Sequence, residues 1–261
     1  MELPLISIER FQIFLVCAAR VAALIGSFPL FSSAQTPARI RVGLAVTLSL
    51  LLFPVLEPYV PPQDFAPVNL AILVANEALL GLMIGLTARL IFTAAELGGT
   101  VVGYQMGFAA ANVFDPQTQH HLALMSQFQN VFALLVFLAL DAHHVLLRAM
   151  VQSYQVLPPG YFDFAGGAVP FLMQLTGKMF VLGVKFSAPI LAVLLICGFI
   201  LGIMARIMPQ LNVFMLSFPL NIGLTLLVIG LTLSMTATLL GREFDALGER
   251  FIYLFQMLAD S

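Results

Sequence analysis

Residues 171–203 read FLMQLTGKMFVLGVKFSAPILAVLLICGFILGI, an apolar stretch of 33 residues interrupted only by the charges of Lys178 and Lys185. As a helix this stretch would be about 50 Å long, well beyond the roughly 20 residues that cross a bilayer. Pro189 lies near its middle, and an internal proline removes a backbone hydrogen bond and kinks a helix. The stretch therefore predicts a long apolar helix that is bent near Pro189.

Similar apolar blocks make up most of the chain, at 11–31, 42–56, 68–111, 122–140 and 213–240. Hydrophobic residues are 61% of the sequence and charged residues 9%, against about 45–50% and 25% in soluble domains. This composition excludes a soluble enzyme and a disordered tail, and the net charge of −2 argues against a nucleic-acid binder. Because helices satisfy their own backbone polar groups in lipid, we predict an all-α integral membrane-complex protein.

The blocks have unequal lengths: block 42–56 is short for a bilayer span and block 68–111 is far too long. We therefore expect bent helical hairpins, assembled helically with partner subunits, rather than a regular transmembrane bundle. We predict one domain over 1–261, in which 10–240 forms the hairpins and 242–261 an amphipathic C-terminal helix.

Seven charged residues lie within or at the edge of the apolar blocks, and an ionised side chain facing lipid costs at least about 2.5–3.5 kcal/mol. They must therefore face protein or water, and we expect four of them to be buried against protein, some of it from neighbouring chains. These four are Arg20, Glu77, Arg89 and Lys185; the others are Glu96, Lys178 and Arg206.

Glycines recur every four residues in two places, which puts each set on one slowly drifting helix face. Small residues on such a face let another helix approach closely. The predicted helix-packing residues are Gly81, Gly85, Gly99, Gly103 and Gly107.

Residues 105–121 read QMGFAAANVFDPQTQHH, and Asp115-Pro116 disfavours a helix there. An apolar loop at a helix break is either a re-entrant gate or an ordinary external turn. The residues alone leave both interpretations open. The candidate plug residues are Met106, Phe108, Asn112, Val113, Phe114, Asp115 and Pro116.

The most distinctive text is RIMPQLNVF at 206–214, where Pro209 ends the preceding helix and polar side chains can bond the freed backbone groups. It predicts a polar hinge between two apolar helices. The hinge residues are Arg206, Pro209, Gln210, Asn212, Phe218 and Pro219.

The polar cluster formed by Asp141, His143 and His144, together with His120 and His121, matches no established catalytic or metal-ligand spacing. Helix capping and loop polarity explain these residues. We therefore predict no enzymatic activity, no cofactor and no metal site.

Several motifs between about residues 10 and 240 together resemble the FliR/SctT family of type III secretion export-gate subunits. The chain departs from the family's pattern at 140–144, where a Gly-Gly-His-like text is expected. The matching text comprises Arg20 with Phe28-Pro29-Leu30-Phe31, Pro37-Ala38-Arg39-Ile40-Arg41, Glu77 with the glycines above, Gln105-Met106, Asp115-Pro116, Ser153 with Pro158, Ala188-Pro189 and, most specifically, Pro209-Gln210-Leu211-Asn212-Val213-Phe214 with Phe218-Pro219.

The resemblance implies a single-copy subunit, like a fused FliP-like and FliQ-like unit, that completes a helical export gate with FliP and FliQ. It implies contacts with FlhB and a position above FlhA in the flagellar basal body of the bacterial inner membrane, with the complex partly projecting above the bilayer. Residues 106–121 would plug the closed pore through which unfolded flagellar proteins are exported.

A small secondary transporter is the alternative, with Glu77, Arg89 and Lys185 binding ions or substrate. Such a transporter should show paired repeats with helices broken at the midplane. No clear internal repeat is visible in the sequence.

Overall fold

The protein's structure, a computed structural model, describes residues 7–28, 37–61, 65–107, 123–160, 167–210 and 212–259. These residues form no strand, so the all-α prediction is confirmed. A short 3-10 turn at Glu57–Tyr59 follows the second helix. The helices are α1 (Ile8–Ser27), α2 (Ala38–Leu56), α3 (Pro67–Gln105), α4 (Ala123–Ala139), α5 (Ala142–Val156), α6 (Ala168–Ile207), α7 (Val213–Asp245) and α8 (Leu247–Ala259).

Local chemistry explains several helix ends. The Ser7 hydroxyl accepts the backbone N–H of Arg10 at 3.3 Å and so caps α1. Pro67 occupies the first position of α3, where its missing N–H costs nothing. Pro209 lies in the break between α6 and α7, as the sequence predicts. Pro189, in contrast, lies inside α6 and does not end it.

The long block 68–111 forms one continuous helix as far as Gln105 and not a hairpin. This 39-residue helix is about 58 Å long, nearly twice the roughly 30 Å hydrocarbon core of a bilayer. The C-terminal helix begins at Leu247 and not at residue 242, because residues 242–245 continue α7 and the chain turns at Ala246.

Four helical segments of the described residues are long and apolar enough to cross a membrane: Ala38–Tyr59, Pro67–Gln105, Ala168–Ile207 and Met215–Ala259. A fifth span results if Leu124–Ala139 and Ala142–Val156 are counted together as one broken span. The prediction of a membrane protein is therefore confirmed.

The chain divides into two compact units. The first comprises Met1–Leu90, Asp141–Leu175 and Asp245–Ser261. Within it α1 packs on α2, and α8 packs on α5. The buried face of α8 consists of Leu247, Phe251, Leu254, Phe255 and Leu258.

The second unit comprises Ile91–Leu140 and Thr176–Phe244. The rings of Phe92, Phe137 and Phe244 form a cluster in its core, with centroids 5.2–5.5 Å apart. A second group of buried apolar side chains consists of Val102, Met106, Met125, Ile190, Leu194, Val228 and Ile229.

Candidate functional site

A buried ion pair lies in the first unit. Arg20 Nε donates to Glu77 Oε2 at 2.6 Å, and both side chains are almost completely shielded from solvent. The other guanidinium nitrogens donate to the Ser153 hydroxyl at 2.9 Å and to the Leu157 carbonyl oxygen at 3.0 Å. Three of the five guanidinium donors are thus used within the chain. This Arg20 network joins α1, α3 and α5.

Tyr154 completes the surroundings of Arg20. The guanidinium carbon lies 3.9 Å from the centroid of the Tyr154 ring, and the phenol donates to the Cys17 carbonyl oxygen at 3.0 Å. Sequence reasoning missed Tyr154 and gave Ser153 no role. In the sequence, Ser153 and Tyr154 are adjacent polar residues in an amphipathic helix. No local pattern indicates that this helix contacts Arg20.

The thiol of Cys17 is completely buried on α1, which is not among the candidate membrane spans. Burial raises the pKa of this thiol to about 12, and the nearby Glu77 charge adds to the rise. The thiol therefore stays protonated and unreactive at neutral pH. Cys17 serves as a packing residue.

The glycines Gly81 and Gly85 face α1. A Cβ atom at Gly81 would collide with the carbonyl oxygen of Arg20, and one at Gly85 would overlap the Ser27 hydroxyl. Only glycine allows α1 and α3 to approach this closely. Since Glu77 lies one turn before Gly81, the close approach also brings the carboxylate within reach of Arg20.

The two other charges expected to be buried lie elsewhere. Arg89 and Lys185 are exposed on the chain itself. Arg89 borders an open apolar pocket of about 210 Å³ in the first unit, together with Ser27, Leu79, Leu82, Met83 and Leu86. Any burial of Arg89 and Lys185 in an assembly would therefore have to come from other polypeptides.

In the second unit α3 packs closely on α4. A Cβ atom at Gly99 would lie 2.5 Å from Ser126 Cα and 2.7 Å from the Met125 carbonyl oxygen. Gly103, one turn further along α3, is also buried. The two helices that flank residues 108–122 are thus in backbone contact.

Met106 is buried in the core of the second unit, and Gly107 follows it with φ of 95°, a conformation that favours glycine. A Cβ atom at Gly107 would lie 3.0 Å from the Phe218 ring. The other predicted plug residues fall outside the described residues. They are Phe108, Asn112, Val113, Phe114, Asp115 and Pro116.

The predicted hinge forms the turn between α6 and α7. The Asn212 side-chain oxygen accepts the Met215 backbone N–H at 3.3 Å, which satisfies one of the free donors at the start of α7. Arg206, Pro209 and Gln210 are exposed there. The remaining two hinge residues, Phe218 and Pro219, lie inside α7.

An apolar groove of about 300 Å³ separates the facing sides of α6 and α7 within the second unit. Contiguous exposed apolar surface of this kind marks contact with lipid or with another protein. The groove is lined by Val193, Ile196, Cys197, Ile200, Leu201, Met204, Leu216, Leu220 and Leu224.

Comparison with known proteins shows that sequences similar to this chain occur in several bacteria. Residues 11–247 match the family of bacterial export proteins, family 1. The chain is 34% identical to the flagellar biosynthetic protein FliR of Bacillus subtilis (strain 168) over 245 residues, which cover 91% of this chain and 92% of that protein.

Two further relatives are similar over comparable lengths. The flagellar biosynthetic protein FliR of Escherichia coli (strain K12) is 29% identical over 92% of this chain and 89% of its own length. That of Aquifex aeolicus (strain VF5) is 28% identical over 95% of this chain and 96% of its own length. With its long apolar helices and a match over almost its whole length, the chain belongs to the bacterial export protein family of the flagellar biosynthetic proteins FliR.

Proposed function

We propose that the chain is a core structural and gating subunit of the flagellar type III protein-export channel. In this role it completes a helical assembly with FliP and FliQ, and residues 106–121 plug the closed pore. The observation that carries the proposal is the backbone contact of α3 with α4 at Gly99 and Ser126. This contact holds together the helices that precede and follow residues 108–122. A plug formed by those residues needs such a rigid support on both sides.

The outer surface of the chain supports a place inside an assembly. Arg89 and Lys185 are exposed on helices that are otherwise apolar, and charges facing lipid are costly. The groove between α6 and α7 leaves apolar surface uncovered. FliP and FliQ would cover these surfaces, and FlhB and FlhA would be further neighbours. Because α3 is far longer than a bilayer is thick, part of the complex would project above the inner membrane.

The transporter alternative requires Glu77 to bind an ion or substrate. The Glu77 carboxylate instead forms a buried ion pair with Arg20. This pairing argues against the alternative.

Purification of the tagged chain from cells that also express FliP and FliQ tests the proposed role. We expect all three to elute together in size-exclusion chromatography. Elution as a monomer or homo-oligomer without FliP and FliQ would rule out the gate and favour the transporter.

Deletion of residues 112–117 should leave the complex assembled but leaky to small ions. A plug excludes water and ions by presenting apolar side chains at a constriction, and the deletion removes them. Conductance in planar bilayers, or the sensitivity of cells to small toxic solutes, measures the leak.

The double variant Phe108→Ala/Phe114→Ala is the control for this deletion. It should leak less, because flexible methionine side chains near the pore can refill part of the gap. An assembled deletion variant that is as tight as the unaltered complex would show that this segment is not the plug.

A further inference from the structure

We propose that Asp141, His143 and His144 form a binding site for a divalent transition-metal ion such as Zn²⁺. This inference does not depend on the gating role. Their ligand atoms all lie within 4.8 Å of one another at the start of α5. Two imidazoles and one carboxylate are a ligand set that suits borderline ions such as Zn²⁺ and leaves a coordination position for water or another ligand.

The sequence explains these residues as a helix cap, but the geometry does not fit that explanation. Asp141 occupies the N-cap position of α5, yet its side chain accepts no backbone N–H there. Its Oδ1 atom lies 3.7 Å from His144 Nδ1 and 4.0 Å from His143 Nε2. These separations exceed a hydrogen bond, and the carboxylate faces the two imidazoles.

The distances are close to those that a metal ion imposes. Tetrahedral bonds of 2.0–2.1 Å place ligand atoms about 3.3 Å apart. The Asp141 and His144 side chains are 74% and 59% exposed, so small rotations can close the difference without disturbing a core. The same exposure leaves the three side chains accessible on the chain itself.

The backbone at this turn supports the cluster. Asp141 is the one non-glycine residue among those the structure describes with a positive φ, at 52°. Aspartate adopts the left-handed region more readily than most residues, so the turn before α5 forms with the carboxylate placed beside the two histidines. The positive end of the α5 dipole, about half a charge, opposes a cation there, and the full negative charge of Asp141 more than offsets it.

Zinc titration of the full chain in detergent, purified with its co-purifying subunits and a tag free of histidine, tests the site. The variant Asp141→Asn/His143→Gln/His144→Gln keeps the side-chain sizes, and asparagine accepts the left-handed backbone. We expect the wild type to bind one more Zn²⁺ per chain at micromolar free zinc than this variant, as measured by competition with a chromophoric chelator. Mg²⁺, which prefers oxygen ligands, should not compete.

The chain has four histidines, so the matched control is His120→Gln/His121→Gln, which should retain the site. The cysteines are buried and do not contribute. If the triple variant fails to fold, the visible absorption spectrum of Co²⁺ bound to the wild-type chain is the deciding measurement. Co²⁺ held by two imidazoles and one carboxylate should show the absorption bands of a low-symmetry site with nitrogen and oxygen ligands. Equal zinc binding by wild type and triple variant, or no such Co²⁺ spectrum, would overturn the proposal.

Discussion

Replacement of Arg20 by Met is expected to destabilise the chain by about 3–5 kcal/mol, the usual cost of removing one partner from a buried ion pair. The loss arises because Glu77 would remain buried without its 2.6 Å ion-pair partner, and the Leu157 carbonyl would lose its donor. Thermal unfolding in detergent, followed by light scattering and size-exclusion chromatography, measures the effect.

The double variant Arg20→Met/Glu77→Met should recover more than half of this loss, because two apolar side chains of similar size often replace a buried pair at little cost. A matched control lies on the same helix: Arg10 pairs with Glu57 at 2.9 Å, but at an exposed position. Arg10→Met should change the unfolding temperature very little. If the double variant is as unstable as the two single losses added together, the two charges do not act as a pair.

Gly81→Ala is the second change for which we expect a large effect, with a loss of about 1–3 kcal/mol or more. The added methyl group would collide with the Arg20 carbonyl oxygen, which is backbone and can move only if α1 moves. Displacement of α1 would also pull Arg20 away from Glu77. Unfolding temperature and co-purification with FliP are the measurements.

Gly177→Ala, in α6, is expected to have the opposite effect on stability. A Cβ atom at Gly177 meets nothing within 4 Å, so alanine's better helix propensity should stabilise α6 by up to about 1 kcal/mol. The two substitutions are chemically identical, and only the surroundings differ. Equal effects of the two would mean that α1 does not approach α3 at Gly81.

Local features of the sequence were enough to predict the helices. The apolar blocks could be predicted as helices because helix formation depends on the composition and length of the apolar run within each segment. The break at Pro209 followed for the same reason. At Pro189, where the sequence predicts a bend, α6 continues as one helix from Ala168 to Ile207, because a helix can continue past one proline when its remaining hydrogen bonds hold.

The glycine pattern shows how far such reasoning extends. The spacing of Gly81, Gly85 and Gly99 predicts a close helix contact but not the helix that makes it. The structure places α1 at the first two and α4 at the third. That choice depends on the path of the chain between the helices, which no periodicity encodes.

The sequence by itself determined an all-helical membrane protein, the position of the helix break at Pro209 and, through its motifs, its family. Only the tertiary structure decided how its charges are used. Arg20 bonds to Glu77, Ser153 and Leu157, which lie 57, 133 and 137 positions further along the chain. Arg89 and Lys185, in contrast, remain exposed on the chain. Helix formation depends on neighbouring residues, whereas a buried charge is stable only where packing brings distant donors and acceptors into contact around it.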